Sequence, residues 1–112
     1  MAEIRRYIRL QFGNSQLSLN TVAEACRVSE RTISNVLAKH ETSFYNELRG
    51  VRLEEAARLL SSLESRNLSI SRIAEMTGFK SPAHFSHTFS RSFGCSAREY
   101  RDSKLAAARA DS

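Results

Sequence analysis

Apolar positions recur in the same order in two stretches of the chain, residues 17–37 and 68–89. In each stretch an apolar pattern of helical spacing is interrupted by a short break and then resumes, which predicts a helix, a tight turn and a second helix. The matched positions lie 51 residues apart before the turn and 52 apart after it, so the extra residue falls in the second turn. The matches are Leu17 with Leu68, Ala23 with Ala74, Glu24 with Glu75, Val28 with Phe79, Ile33 with Phe85, and Leu37 with Phe89.

Three helices are predicted before residue 43. Gly13-Asn14 ends the first helix, the second begins near Ser18, and the hydroxyl of Ser29 is placed to cap the third. Arg27-Val28 forms the turn between the second and the third. The residues expected to face inward are Ile4, Tyr7, Ile8 and Phe12, then Val22, Ala23 and Cys26, and then Ile33, Val36 and Leu37.

A longer helix is predicted from about residue 44 to residue 63, with Thr42 or Ser43 as its cap. At 1.5 Å per residue, about 18 helical residues span about 27 Å, so this helix would be a strut that sets the separation of the two repeats. The polar break at residues 64–67 is too short to be a free linker. The apolar stripe of the strut is expected to be Leu48, Val51, Ala56, Leu59, Leu60 and Leu63.

The second repeat has clearer signals for where its helices begin and end than the first. Ser69 is placed to cap a helix, Gly78 supplies the turn, and Ser81-Pro82 begins the next helix. Gly94 ends that helix, and the capping box at residues 96–99 opens a last short helix through Arg101. The residues expected to face inward are Ile70, Ile73, Ala74 and Met76, and then Phe85, Phe89 and Phe93.

The pattern therefore predicts an all-α chain in which two helix-turn-helix subdomains are joined by a long linker helix. We expect the first subdomain at residues 1–43, the linker helix at 44–64 and the second subdomain at 65–101. Residues 102–112 form an Ala-rich, polar tail that extends the last helix or frays, and to which the sequence assigns no function.

Positive charge is concentrated on the repeats. The chain carries a formal charge of +5, with +2 on residues 1–43, −1 on residues 44–64 and +4 on residues 65–101. A charge that served only solubility would not need this arrangement, so the distribution favours a polyanionic partner. Together with the repeated helix-turn-helix pattern, it predicts a protein that binds double-stranded DNA.

No apolar run approaches the roughly 20 residues needed to span a bilayer, so no membrane partner is expected. The charged N-terminal stretch does not read as a secretory signal. Cys26 and Cys95 do not form a spacing motif and are interpreted as packing residues in a reducing compartment. These features predict a cytoplasmic protein associated with the bacterial nucleoid through DNA.

The second helix of a helix-turn-helix enters the major groove, so its exposed side chains are the candidate DNA contacts. In the first repeat, Arg31 could pair with guanine and Asn35 with adenine, while Lys39 is better suited to a phosphate. An ordinary solvated polar face is the alternative interpretation. The complete candidate set of this helix is Ser29, Glu30, Arg31, Thr32, Ser34, Asn35 and Lys39.

The corresponding helix of the second repeat has fewer long hydrogen-bonding side chains. His84 and His87 could donate to base edges or phosphates, and Ala83 could meet a thymine methyl group. Lys80 and Arg91 are expected to contact phosphates. We therefore expect fewer direct base contacts from this helix than from the first. The complete candidate set is Lys80, Ser81, Pro82, Ala83, His84, Ser86, His87 and Arg91.

Catalytic and metal chemistry are not indicated. His84 and His87 share a helix face as a zinc pair would, but no further ligand has matching spacing. Neither cysteine forms a recognisable nucleophile motif with a histidine, and no Gly-rich phosphate loop exists. We therefore predict no catalytic residue, no metal and no cofactor.

The second repeat carries a longer signature, which runs through Ile73-Ala74, Gly78-Phe79, Ser81, Phe85, Phe89-Ser90-Arg91, Phe93-Gly94-Cys95-Ser96 and Tyr100-Arg101. With Arg52-Leu53, Ala56 and Leu59-Leu60 in the linker helix, it closely resembles the AraC/XylS transcription regulators. The chain departs from the family pattern where Arg27 and Glu41 replace a common glycine and Ala97 a common proline, and where Pro82 and Ala83 replace longer polar residues.

This resemblance implies a seven-helix domain that presents two recognition helices to successive major-groove segments on one face of DNA. It places the base-contacting positions at Arg31, Thr32, Ser34 and Asn35, and at Pro82, Ala83, His84, Ser86 and His87. Many family members are about three times longer, with an N-terminal effector or dimerisation domain. We therefore expect a monomeric C-terminal fragment rather than a stand-alone activator, with dimerisation through an absent N-terminal domain.

Two other functions are alternatives to DNA binding. A helical interaction module would bind a protein such as RNA polymerase through surface residues like Glu54 and Arg58, and that role can coexist with DNA binding. A nucleic-acid enzyme would need a carboxylate cluster or a metal set, and the sequence has neither. The favoured interpretation is a non-enzymatic, sequence-specific transcription regulator domain with RNA polymerase as a candidate second partner.

Overall fold

The computed structural model describes residues 1–110, and these form seven α-helices and one short 3-10 turn. The helices are α1 (Ala2–Gln11), α2 (Leu19–Cys26), α3 (Glu30–Lys39), α4 (Phe44–Ser61), α5 (Ile70–Met76), α6 (Pro82–Phe93) and α7 (Ala97–Ala110), with the 3-10 turn at Leu63–Ser65. The all-α prediction, with two helix-turn-helix units joined by a long helix, is confirmed. The pairs α2–α3 and α5–α6 are the two units, and α4 connects them.

Serine side chains begin five of the helices. The hydroxyl oxygens of Ser18, Ser29, Ser43, Ser69 and Ser81 each accept a hydrogen bond from the backbone N–H three residues on, which satisfies a donor that the helix leaves unpaired. At α7 the capping box is formed in both directions, with Ser96 N–H donating to Glu99 Oε1 at 3.1 Å and Glu99 N–H to Ser96 Oγ at 3.0 Å. The hydrogen bond from the Ser96 N–H lowers the pKa of the Glu99 carboxyl group.

Helix α4 supports two separate hydrophobic clusters. Its first half contributes Phe44 and Leu48 to the cluster around α1, α2 and α3. Its second half contributes Leu53, Ala56, Leu59 and Leu60 to the cluster around α5, α6 and α7. The single stripe predicted for this helix was incomplete, because the two units pack on different sides of α4.

Several predicted element details are wrong. The helix α4 ends at Ser61 rather than Leu63, and a 3-10 turn follows. Met76 and Phe93 were expected to face inward, but they are 40% and 38% exposed. Phe93 lies at the edge of the core, where its ring stacks on Phe89 with centroids 4.3 Å apart.

The tail extends the last helix, which is one of the two alternatives that the sequence left open. The helix α7 continues beyond Arg101 to Ala110 and packs along α4. Burial of Leu105 explains the extension, since it gives the additional turns an apolar contact. Of the expected tail, residues 102–110 are therefore helical, and residues 111–112 lie outside the described part of the chain.

Two turns of the first unit place non-glycine residues in the left-handed region. Arg27 after α2 and Glu41 after α3 both have φ of 58°. This conformation costs an L-residue about 1–2 kcal/mol relative to glycine, which explains why glycine suits both positions. In the second unit the corresponding strain is absent at the α5–α6 turn, because Gly78 has φ of 85°.

Candidate nucleic-acid interface

The helix α3 presents a continuous polar face to solvent. Its inward side buries Ile33 and Leu37 almost completely, so the helix is fixed in rotation about its axis. Arg31, Asn35 and Lys39 follow one another at intervals of four residues and form one exposed stripe. The other candidates of this helix, Ser29, Glu30, Thr32 and Ser34, are exposed as well.

The helix α6 is oriented by its aromatic core. Phe85 and Phe89 have no exposed surface, which leaves the opposite side of the helix uncovered. His84 lies against the ring of Phe79, with ring centroids 5.7 Å apart, so one of the two histidines is restrained and His87 is not. All eight candidates of this unit reach the surface, with Ser81 half-buried and Lys80, Pro82, Ala83, His84, Ser86, His87 and Arg91 exposed.

Ion pairing separates two groups of cations. Arg5 pairs with Glu47, Arg9 with Glu54, Arg58 with Glu55, and Arg72 with Glu75. Within residues 1–110, by contrast, the candidate contacts Arg31, Lys39, Lys80 and Arg91 have no carboxylate partner. Residues 80–93 contain no acidic side chain at all. These four unpaired cations lie on the two candidate recognition helices and on the turn before α6.

A cleft of about 500 Å³ lies between the two units and contains residues that the sequence analysis missed. Tyr45, at the start of α4, is 66% exposed beside it. Gln16 lines the same cleft from the α1–α2 connection, opposite Lys80 and His84 of the second unit. An exposed tyrosine next to the buried Phe44 could not be identified from the apolar pattern, because both rings count as apolar there.

The described residues contain neither a metal-binding cluster nor a membrane-spanning helix. Residues 1–110 contain no group of three or more histidine, cysteine or acidic side chains placed to hold a metal ion. Cys26 and Cys95 are half-buried free thiols. No helix between residues 1 and 110 combines the length and the apolar character that crossing a membrane requires.

A family model and several curated proteins are similar in sequence to this chain. Residues 22–103 match a family model described as a helix-turn-helix domain. The transcriptional activator RhrA of Rhizobium meliloti is 33% identical over 108 residues, which cover 96% of this chain and 33% of RhrA. The first three curated relatives are all longer, and the aligned part of this chain spans 23–33% of their length.

Two solved structures share the fold over nearly the whole chain. A transcriptional regulator of Chromobacterium violaceum, described by its AraC-type DNA-binding domain, has a TM-score of 0.82 at 26% identity and covers 92% of this chain and 89% of its own. The DNA-binding domain of AdpA, solved with a target DNA, has a TM-score of 0.83 at 25% identity and covers 94% and 92%. With its two capped helix-turn-helix units on one connecting helix, this chain belongs to the AraC/XylS family of helix-turn-helix transcription regulators.

Proposed function

We propose that this domain binds a specific double-stranded DNA site by inserting α3 and α6 into successive major-groove segments on one face of the duplex. The observation that carries the proposal is that both second helices of the repeat expose polar faces bearing unpaired cations. Residues 1–43 and 65–101 act as the two reading units, and residues 44–64 hold them apart. The principal dimension of 48 Å can accommodate recognition helices about 34 Å apart, which is one turn of B-DNA.

The helix α3 supplies most of the direct base readout. Arg31 donates to guanine O6 and N7, and Asn35 forms the paired hydrogen bonds with adenine. Thr32 and Ser34 contact neighbouring base edges, and Glu30 accepts from a cytosine amino group. On α6, His84, Ser86 and His87 donate at base edges, while Pro82 and Ala83 make apolar contact with thymine methyl groups.

Phosphate contacts supply most of the affinity. Lys39, Lys80 and Arg91 are exposed cations without carboxylate partners in the described chain, so they are free to neutralise phosphates. Free N–H groups at the start of α3, and the N–H of Ala83 at the start of α6, where Pro82 has none, add hydrogen-bond donors that favour an anion. Binding is therefore steeply salt-dependent, with a log–log slope of about −0.9 for each phosphate neutralised.

The domain acts as the DNA-reading part of a transcription regulator in the bacterial cytoplasm, where DNA holds it at the nucleoid. No catalytic activity and no cofactor are proposed for this domain. RNA polymerase is the proposed second partner, since RhrA is named as an activator and the surfaces of α1 and α4 lie outside the two recognition helices. This domain is monomeric by itself, and dimerisation belongs to a further N-terminal domain of the kind that longer relatives have room for.

Selection of binding sites from random duplex DNA, followed by footprinting of the selected site, tests this function. We expect a contiguous, asymmetric site of about 20 base pairs, because the two non-identical units contact positions that lie one helical turn of DNA apart. The footprint should include two major-groove segments on the same face. Protection of a single segment, or salt-independent retention on random duplex, would contradict the proposed function.

The substitution Arg31→Ala should weaken binding to the selected site by about 1–3 kcal/mol and relax the preference at one base pair. The reason is that the alanine leaves one guanine edge without its bidentate donor. The measurement is fluorescence anisotropy at constant salt against the four duplexes that vary this position. Lys39→Ala is the matched control, since loss of a phosphate contact weakens all four duplexes equally. A uniform loss for Arg31→Ala would show that this side chain touches phosphate only.

A further inference from the structure

Arg52 of α4 joins the linker helix to the first unit. Its Nε donates to the carbonyl oxygen of Phe12 at 2.8 Å, and its Nη2 donates to the carbonyl oxygen of Asn14 at 2.8 Å. Both carbonyls belong to the connection between α1 and α2, which leads directly into the first helix-turn-helix. A planar guanidinium can hold two carbonyl groups in a fixed relation, whereas a lysine ammonium has no such fork.

The same guanidinium lies against the turn of the second unit. A Cβ atom added to Gly78 would lie 2.7 Å from Arg52 Nε and 2.3 Å from the Phe12 carbonyl oxygen. Next to it, a Cβ atom at Gly13 would lie 3.2 Å from the carbonyl oxygen of Met76. The α1–α2 connection and the α5–α6 turn are therefore in direct contact, with Arg52 between them.

Both partners of this contact are stiff. Thr77, next to Gly78, is fully buried, and its hydroxyl donates to the Ile73 carbonyl oxygen at 2.7 Å. The α1–α2 connection is anchored on its other side by the buried Leu17. Burial of the Arg52 guanidinium lowers the pKa of this group, because loss of water disfavours its charged form.

We infer that Arg52 is a positioning residue that fixes the orientation of one helix-turn-helix relative to the other, and thereby sets the spacing of the two DNA half-sites. The effect on half-site spacing rests on the proposed function. The effect on the relative orientation of the two units does not. Apolar packing holds each unit on its own half of α4, and the two clusters share no buried residue. The Phe12–Arg52–Gly78 junction is where backbone of both units meets.

Orientation of the free protein can be measured without DNA. Spin labels on Ser34→Cys and Ser86→Cys, in a background where Cys26 and Cys95 are serine, report the distance between α3 and α6. We expect Arg52→Ala to broaden this distance distribution about twofold, because the units then move about α4 on their own. Arg58→Ala is the matched control on the same helix, since its side chain pairs with Glu55 within α4. An unchanged width for Arg52→Ala would overturn the inference whether or not the protein binds DNA.

The DNA consequence is tested with duplexes whose half-site spacing is native, one base pair shorter or one base pair longer. One base pair rotates a half-site by about 34°, so wild-type protein should lose about 30-fold in affinity on either altered spacing. Arg52→Ala should lose about tenfold on the native spacing and discriminate less than about threefold among the three duplexes. Gly78→Ala should behave similarly, because its added methyl group displaces the Phe12 carbonyl.

Arg52 also lines the cleft beside Lys80, so the alternative role for its side chain is a direct contact with a DNA phosphate. The same three duplexes distinguish the two roles. If the side chain contacts a phosphate, Arg52→Ala weakens all three spacings equally and lowers the salt slope by about 1, which would overturn the inference. If Arg52→Ala does not fold, Arg52→Lys keeps the charge but not the fork, and it should still flatten the spacing preference. Failure of wild-type protein to select any duplex would contradict the proposed function alone, and the spin-label distances would still decide the inference.

Discussion

Replacing Phe85 with alanine should lower the free energy of unfolding by about 3–5 kcal/mol. Phe85 has no exposed surface and lies between Phe79 and Phe89, with ring centroids 5.1 Å and 5.7 Å away. Together with Phe89 it sets the rotation of α6, so the cavity left behind lies directly under the second recognition helix. A domain of this size is stable by about 5–15 kcal/mol, and the variant would therefore approach the limit of folding.

Urea denaturation followed by circular dichroism measures this loss. Ser86→Ala is the matched control, because it changes an exposed neighbour on the same helix and should stay within about 0.5 kcal/mol of wild type. Phe93→Ala should cost clearly less than Phe85→Ala, since Phe93 is 38% exposed and lies at the edge of the core, against Phe89 and Tyr100. Equal costs for the two phenylalanines would mean that the second core is not centred on Phe85.

The local pattern predicted the helix-turn-helix units well because their determinants are close together in the chain. A serine cap acts over three residues, a helix face repeats within four, and a glycine turn acts where it stands. The sequence therefore identified the caps at Ser29 and Ser81 and the exposed faces of α3 and α6. The DNA contacts assigned to those faces stay predictions, since exposure does not show what a side chain binds.

The features that the sequence missed depend on contacts between distant residues. Arg52 meets Phe12 and Asn14 across 40 and 38 residues, and nothing in the local pattern indicates that pairing. The two-sided packing of α4 has the same origin, and so has the extension of α7, which the sequence left open. Each depends on which helices lie against α4. Phe93 was wrongly predicted to be buried for a related reason, because helical spacing does not show where the helices that cover the core end.

Inserting five base pairs between the two half-sites of the selected DNA should lower the affinity by a factor of about 10²–10⁴. The insertion turns one half-site by about half a turn, to the opposite side of the duplex. The two units share α4 and meet at Gly78 and Arg52, so they cannot rotate through that angle while both stay bound. Only one recognition helix would then remain in its groove, together with the phosphate contacts of that unit.

Anisotropy titrations at fixed salt should compare the inserted duplex with one in which a single half-site is scrambled. If the units are rigidly joined, the two duplexes bind equally weakly, because each offers one usable half-site. Inserting ten base pairs restores the face but adds about 34 Å, and a protein 48 Å long cannot also span that distance, so this duplex should be as weak. Retention of affinity within threefold on the five-base-pair insertion would contradict simultaneous reading, since it would require units that bind independently of α4. The comparison thus measures how much of the affinity comes from the connection between the units rather than from either recognition helix alone.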